Sequence, residues 1–489
     1  MASNRPAHEW SAHETLAELA AKRISAVELL EHYVARRAAL DNDVNAVVAT
    51  DVDGARLIAR DIDNRRAAGE VLPPLAGLTM TIKDAFEVVG MPATCGFPNL
   101  AQYRPEQDAD AVARLRAAGA VIYGKSNCPL GAADHQTYNP VYGTTRNPWN
   151  LARTAGGSSG GAAAALAGGF SALELGSDIG GSIRVPSHYC GVYGHKPSWG
   201  IVSGRGHIPP MPGAVVPPTP LAVVGPMGRS AADLDLALSL LAGPSKDEAA
   251  GWSLKLPPPR HDRLRDFRIG VWLDAYPVDS AYCGAIEQFA QALAREGAKV
   301  DTVRSSPVDA VASWGTYLDL LFGIIGSGSP ESEVAAYRAA AQGATVGSYA
   351  ARLGRATTQS LRHWTEQSAQ QAIVRERWSR FFEEFDVLLC PVSMTLAFPH
   401  KTDDGHGPVP QLKRTLVVDG TLRPYLDNLM WPGLATIAHL PSTARPLGAA
   451  IDGLPAGVQI IGPYLHDRTT IRFAALCDEA FGGFRAPPS

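Results

Sequence analysis

The sequence predicts an α/β protein built on a largely parallel β-sheet, and two stretches carry that prediction. Asp110–Ala118 reads as a helix and Ala120–Tyr123 as a strand running into GKSN. Further on, a strand at Ile269–Trp272, a helix around Ala281–Glu296 and a strand at Ala298–Val303 form a βαβ unit. A helix between two strands carries the chain back along the sheet, so the strands lie parallel. The chain has 489 residues, 46% hydrophobic and 19% charged, ample for a large buried core. Length alone would suit about three domains. No internal repeat is visible.

The remaining elements follow in order. The N-terminus, MASNRPAHEWSAHE, has no apolar run of the kind a secretory leader needs. His8-Glu9 and His13 form HExxxH, not the HExxH that puts two imidazoles on one helical face, so they read as surface. Ser11-x-x-Glu14 and Ser25-x-x-Glu28 are capping boxes, and Val27, Leu30 and Val34 extend the second into a helix over Ser25–Leu40. Another helix is predicted over Val52–Ala68. Thr79–Ile82 alternates as a strand, and Lys83 leaves its C-terminal end on the more polar face. Asp84 is either a partner for that lysine or a solvated charge. Lys125, also at a strand end, is its rival. Asn139–Asn150, with TRNPWN, reads as a loop packed against the glycine-serine region.

Gly204–Pro220, GRGHIPPMPGAVVPPTP, cannot be regular helix and is expected to shape a pocket. Ser230–Leu241 is a helix and Ala242–Pro259 a surface excursion. Ala312–Ile325, carrying Trp314, Tyr317, Leu320, Leu321 and Phe322, reads as a core helix followed by a mobile GSGSPESE loop. A long helix over Gln359–Phe385, buried strands at Val387–Pro391 and Gly457–Ile461, and a closing helix from Asp467 to Phe481 complete the chain.

The chemistry concentrates between Ala155 and Pro186. Two glycine-serine clusters, GGSSGG at Gly156–Gly161 and DIGGS at Asp178–Ser182, flank a small-residue helix and a strand. Such loops bring several backbone N–H groups together, which suits an anion or a developing oxyanion. The serines sit in loops and are expected to be presented rather than buried. A flexible linker would not run straight into AAAALAGG and ALEL. A phosphate cradle lacks its GK[ST] or GxGxxG. Gly156–Gly160 also fits GxSxG, the nucleophile elbow of a Ser-His esterase, but the preceding NPWNLART is a poor strand. Asp178 and Arg184 flank the second cluster and are placed to brace it.

GGSSGG followed by DIGGSIRVPSHYCGVYGHKPS resembles the amidase signature family. The resemblance continues through TMTIKDAFEVVGMPATCG, GKSNCPLG, TRNPWN, GPMGRSAADLDLALSLLAG and GLPAGVQIIGP, and so covers most of the chain. Ser158 and Ser182 stand 24 residues apart, as that family's two catalytic serines do. The resemblance implies Ser182 as nucleophile, Ser158 as relay after a cis Gly157–Ser158 peptide, and Lys83 as base, with Ser159 in support and Lys125 structural. A lysine takes a proton only when neutral, which burial without a carboxylate partner would favour. The amides of Ile179, Gly180, Gly181 and Ser182 are then the expected oxyanion donors.

The implied fold is one large α/β domain, a mixed, largely parallel central sheet with helices on both faces. Its expected parts are N-terminal helices (1–70), catalytic core (71–245), variable substrate-shaping region (246–400) and closing strands and helix (401–489). The implied activity is hydrolysis of a hydrophobic aryl or alkyl amide, anilide or carbamate. Similar proteins act on anilides, nylon-type oligomer amides, carbamates and indoleacetamide. The alternative within the family is an amidotransferase A-type subunit working in a complex on aminoacyl-tRNA. A net charge of −4 without a basic run argues against nucleic acid as partner. Six cysteines without CxxC pairing suit reduced thiols in the cytoplasm, and no His/Cys/carboxylate spacing suggests a metal. No uninterrupted apolar run approaches a membrane span. The expectation is a cytoplasmic monomer or homodimer without cofactor.

Overall fold

The computed structural model describes residues 5–214, 218–303 and 307–488. The first four residues of the polar N-terminus and residues 215–217 of the Pro-rich stretch lie outside them.

Among the described residues eleven strands form one sheet: β1 (Val47–Thr50), β2 (Thr79–Lys83), β3 (Val121–Ser126), β4 (Glu174–Asp178), β5 (Tyr193–Lys196), β6 (Val223–Gly228), β7 (Arg268–Val271), β8 (Lys299–Thr302), β9 (Val387–Pro391), β10 (Ser442–Ile451) and β11 (Leu454–Ile461). Their spatial order is β1-β3-β2-β4-β6-β5-β10-β11-β9-β7-β8. The sheet is mixed, as expected, but its balance differs from the expectation. Parallel pairing is confined to β3-β2-β4 and β9-β7-β8, while the other pairings are antiparallel. The physical reason lies in the connections. The helical crossovers visible in sequence produce the parallel flanks, whereas the centre is joined by a hairpin, β10–β11, and by strands that return from distant parts of the chain.

The capping boxes at Ser11 and Ser25 both form, and the helices they start cover one flank with Leu29, Leu30 and Tyr33 buried. Four helices matter for the site: α1 (Gly160–Gly168), α2 (Arg184–Cys190), α3 (Ala310–Gly328) and α4 (Met430–Ile437). Alanines on every side of α1 let it run fully buried between strands and loops.

Helix α3 is 19 residues long and, by length and composition, apolar enough to cross a membrane, although Asp319 and its small polar residues interrupt the apolar run in sequence. It packs into the core through Tyr317, Leu318, Leu320, Leu321 and Phe322. The GSGSPESE stretch is not a loop: α3 runs through Gly328, and a further helix begins at Glu331. The six cysteines are free thiols, with the sulfurs of Cys95 and Cys128 3.9 Å apart.

Candidate active site

Lys83 ends β2, with Ser126 of β3 as its register partner and β4 on the other side. Its side chain is completely buried, so its strand face is an interior polar one. The ammonium nitrogen lies 2.7 Å from Ser158 Oγ, 3.1 Å from Ser159 Oγ and 3.0 Å from Ser177 Oγ. Burial pulls the Lys83 pKa down to about 8. The carboxyl of Glu174, on β4 and hydrogen-bonded to Thr81 and Ser126, is pushed up to about 8 by burial. Asp84 is neither partner to Lys83 nor solvated. It is buried and binds Thr94 and Lys125, whose Nζ also reaches the carbonyls of Phe86 and Pro92 at 2.8 Å. Lys125 is thereby tied to a carboxylate, with no serine among its partners.

The Gly157–Ser158 peptide is cis. The serines are buried rather than presented: Ser158 and Ser159 are essentially inaccessible and Ser182 is 6% exposed. The reason is the packing above them. Gly157 lies against the backbone of Asp134 and Gln136, and Gly181 lies against Pro432 of α4. It is the segment around 134–137 that contacts the GGSSGG loop, with Thr137 Oγ1 donating to Gly156 O and accepting from Gly160 N–H. The expected partner, the 139–150 loop, instead reaches the end of α2 through Asn147 and Trp149.

The second cluster is held from inside. The Asp178 carboxylate accepts from the Gly181 amide at 2.7 Å and the Ile183 amide at 3.0 Å, and pairs with Arg184 through two nitrogens. Burial alone would raise its pKa, but the Arg184 guanidinium and these hydrogen bonds hold it below the usual carboxylate range. Arg184 also reaches Pro432 O, Gln459 and Thr436.

This corrects the expected set of four oxyanion donors, because the Gly181 N–H is already occupied. Among the described residues the amides of Ile179, Gly180 and Ser182 donate to nothing. A trans peptide sends its C=O and N–H in opposite directions. Tyr317 Oη donates to Ile179 O at 3.0 Å, and the Gly181 carbonyl accepts from Val185 N–H at 2.7 Å, which turns the amides of Gly180 and Ser182 the other way. His135 Nε2 donates to Gly180 O at 2.8 Å while its Nδ1 accepts from Asn428 at 3.1 Å. Tyr317, His135, Asn428 and Ser177 were missed in sequence. Only Ser177, beside Asp178 in LGSDIGGS, had a local signal.

Ser158 meets the lysine as expected. The two loops are joined by Ser159 N–H to Ser182 O at 3.0 Å, but the Ser182 hydroxyl has no hydrogen-bond partner among the described residues, so of the expected relay the Lys83–Ser158 contact is formed and a Ser158–Ser182 hydrogen bond is not. Ser182, Gly180 and Ile179 line a cavity of about 80 Å³, walled by Leu321, Phe322, Ile325, Leu353, Leu426 and Leu429. The aromatic helix α3 therefore lines the pocket as well as the core. The Pro-rich 204–220 stretch does not: its described residues contribute nothing to that wall.

The esterase reading meets two obstacles. Asn150–Thr154 is a strand after all, but of a two-stranded ribbon outside the main sheet. The buried His195–Asp467 pair, 3.0 Å apart, binds Thr443 and Ser198 and makes no hydrogen bond to Ser182 among the described residues. His8, expected at the surface, is half-buried and stacked on His32.

Removing one partner of a buried ion pair strands the other charge. Arg184→Leu is therefore expected to destabilise the fold by about 3–5 kcal/mol, measured by urea unfolding. A loss below about 1 kcal/mol would mean that Asp178 finds other support.

Comparison with known proteins gives a consistent answer. The family described as Amidase matches residues 28–471. The A-type subunit of glutamyl-tRNA(Gln) amidotransferase from Acidothermus cellulolyticus is 34% identical over 504 residues, covering 96% of this chain and 94% of that protein. Its counterpart from Roseiflexus castenholzii is 33% identical, covering 96% and 95%. Among solved structures, an inhibitor-bound vestigial complex described as revealing the origins of an s-triazine catabolic enzyme aligns with a TM-score of 0.81 and 29% identity, covering 96% of this chain and 98% of that one. A bacterial aryl acylamidase of the amidase signature enzymes aligns with a TM-score of 0.79 and 27% identity, covering 98% and 97%. The match spans Lys83 and both glycine-serine loops and extends along nearly the whole length, so this chain belongs to the amidase signature family.

Proposed function

We propose that the protein is an amidohydrolase that cleaves a small, apolar amide, anilide or carbamate through an acyl-enzyme. The observation carrying this reading is a buried lysine whose three hydrogen-bond partners among the described residues are serine hydroxyls, without a carboxylate among them. At and above pH 8 a large share of such a lysine is neutral and accepts a proton. In the proposed reaction Ser182 attacks the amide carbon, its proton passes through Ser158 to Lys83, and the carbonyl oxygen takes the negative charge against the amides of Gly180 and Ser182, with Ile179 N–H in support. The same route protonates the departing amine, and water then releases the acid. Ser158 and Lys83 act as one unit, since either alone leaves Ser182 without a proton acceptor.

The pocket supports the substrate class. Its wall is mostly apolar, with leucine, isoleucine, phenylalanine and alanine beside His135, Gln411 and Tyr425, and its one carboxylate, Asp134, is engaged by Arg414, Tyr138 and Tyr425. An apolar acyl or aryl group gains from that wall, whereas a zwitterionic amide such as glutamine finds no unpaired charge there. A panel of p-nitroanilides, linear amides and aryl carbamates, given to the purified chain, tests this. Turnover is expected for neutral apolar members. Phe322→Ala is expected to raise KM for them by about 10-fold or more, the loss of part of one aromatic contact.

The curated relatives favour a second reading, an A-type amidotransferase subunit. It places the same serine chemistry in a complex acting on glutamyl-tRNA(Gln). An isolated chain inactive on every apolar amide, gaining activity only with partner subunits and glutamine, would decide for it.

A further inference from the structure

Two of the three hydroxyls on Lys83 lead inward. Ser158 and Ser159 belong to the buried GGSSGG loop. The third leads out: Ser177 Oγ is 2.8 Å from His207 Nε2, and His207 Nδ1 is 3.0 Å from Pro209 O. A carbonyl oxygen only accepts, so Nδ1 carries the ring proton and Nε2 presents its lone pair. The Ser177 hydroxyl then donates to His207 and turns its oxygen toward the lysine. The three groups are oriented head to tail, from an inaccessible nitrogen to a half-buried ring beside an exposed proline.

The reaction needs such an exit. Hydrolysis of an anilide yields a carboxylic acid and a weakly basic amine. The acid ionises well below neutral pH, and its proton passes to the stronger base. An acid that ionises in the site leaves Lys83 as an ammonium, and that proton must then reach solvent before the next attack. The substrate side offers a poor way out, a small cavity walled by apolar side chains.

We propose that Ser177 and His207 form the route by which Lys83 releases this proton to solvent, resetting the base after each turnover. This rests on Lys83 being the base. In the step, the Ser177 oxygen takes a proton from the Lys83 ammonium while its own passes to His207 Nε2. The imidazolium gives up its Nδ1 proton to water, and tautomer and hydroxyl return by exchange with solvent. Lys83 is left neutral and bulk water has gained one proton.

The surroundings suit the role. The edge of Phe86 holds the ring, with centroids 5.0 Å apart. Gly206, at φ +81°, lies where a Cβ would come within 2.5 Å of Ala109, which pins the loop. Lys83 is the charge acting on the ring, while Arg205 on the same loop is paired with Asp110, and Glu87 on the adjoining segment with Tyr103. Burial first and Lys83 second hold His207 down to about 4, so it rests neutral with its Nε2 lone pair turned to Ser177, and any proton it takes is held only in passing before release to water.

The test compares wild type, His207→Phe and His207→Gln on the best amide of the panel, with Ser182 labelling by a fluorophosphonate alongside. Both variants are expected to keep the first turnover within about 2-fold but to slow steady-state turnover about 10-fold near pH 7, with added imidazole restoring it and the loss fading at alkaline pH. Glutamine keeps an acceptor for Ser177 but cannot take up and pass on a proton. A wild-type steady state in His207→Gln, or a loss equal in the first turnover, independent of pH and indifferent to imidazole, would overturn the route in favour of a packing role. An active, labelled wild type beside an unaffected His207→Phe sinks the route alone. Absence of both turnover and Ser182 labelling in wild type sinks the underlying reading, and the route with it.

Discussion

Ser182→Ala is expected to abolish turnover, a loss of about 10⁴–10⁶-fold, while leaving the fold intact. The hydroxyl lines the apolar cavity and has no hydrogen-bond partner among the described residues, so truncation strands no buried polar group. Stability should change by less than about 1 kcal/mol, as for sites free of such features. Fluorophosphonate labelling, mapped by peptide mass, should mark Ser182 in wild type and nothing in the variant. Ser158 and Ser159 hydroxyls both lie on the lysine nitrogen, so a label at either would reassign the nucleophile. Ser158→Ala is the informative contrast. It removes the 2.7 Å contact to Lys83 but not the attacking oxygen, so activity falls while slow labelling of Ser182 persists.

What sequence could and could not show divides along the range of the contacts. The helix and strand flanking the two glycine-serine loops, the capping boxes and the βαβ unit are local patterns, and all formed. Lys83 and both serines were legible because the motifs carrying them resemble a family. Their burial was not, since what covers them comes from Asp134–Gln136 and Pro432. Tyr317 meets Ile179 across 138 positions and Lys83 meets Ser177 across 94, and nothing in either local stretch announces the contact. The Gly181 amide was misassigned for the same kind of reason. Two glycines in a row promise free N–H groups, but which one a neighbouring carboxylate captures is decided by loop geometry. The parallel share of the mixed sheet is overestimated from sequence because crossover helices are visible there and antiparallel returns over long separations are not.

Replacing Lys83 separates this mechanism from a histidine-based one. Lys83→Met is expected to lower kcat/KM by about 10²–10⁴-fold, the range for losing a general base. Lys83→Arg should be nearly as severe, because guanidinium stays protonated and cannot accept the serine proton. The wild-type pH profile follows from the same group. Below about 8 the side chain is mostly ammonium and inactive as a base, and each unit of pH removes roughly tenfold of the neutral form. The limb of log kcat/KM should therefore rise with unit slope from about pH 6 and level off above about 8. A histidine base would place the bend near about 6.5. His135, the ring packed on the second loop, gives its Nε2 proton to Gly180 O and takes one from Asn428, so neither nitrogen is free to serve Ser182. A bend near about 6.5 that disappears in His135→Gln, with Lys83→Met still active, would replace the lysine mechanism. A bend near about 8 that vanishes in Lys83→Met would tie the titration to the buried cation that touches the serines.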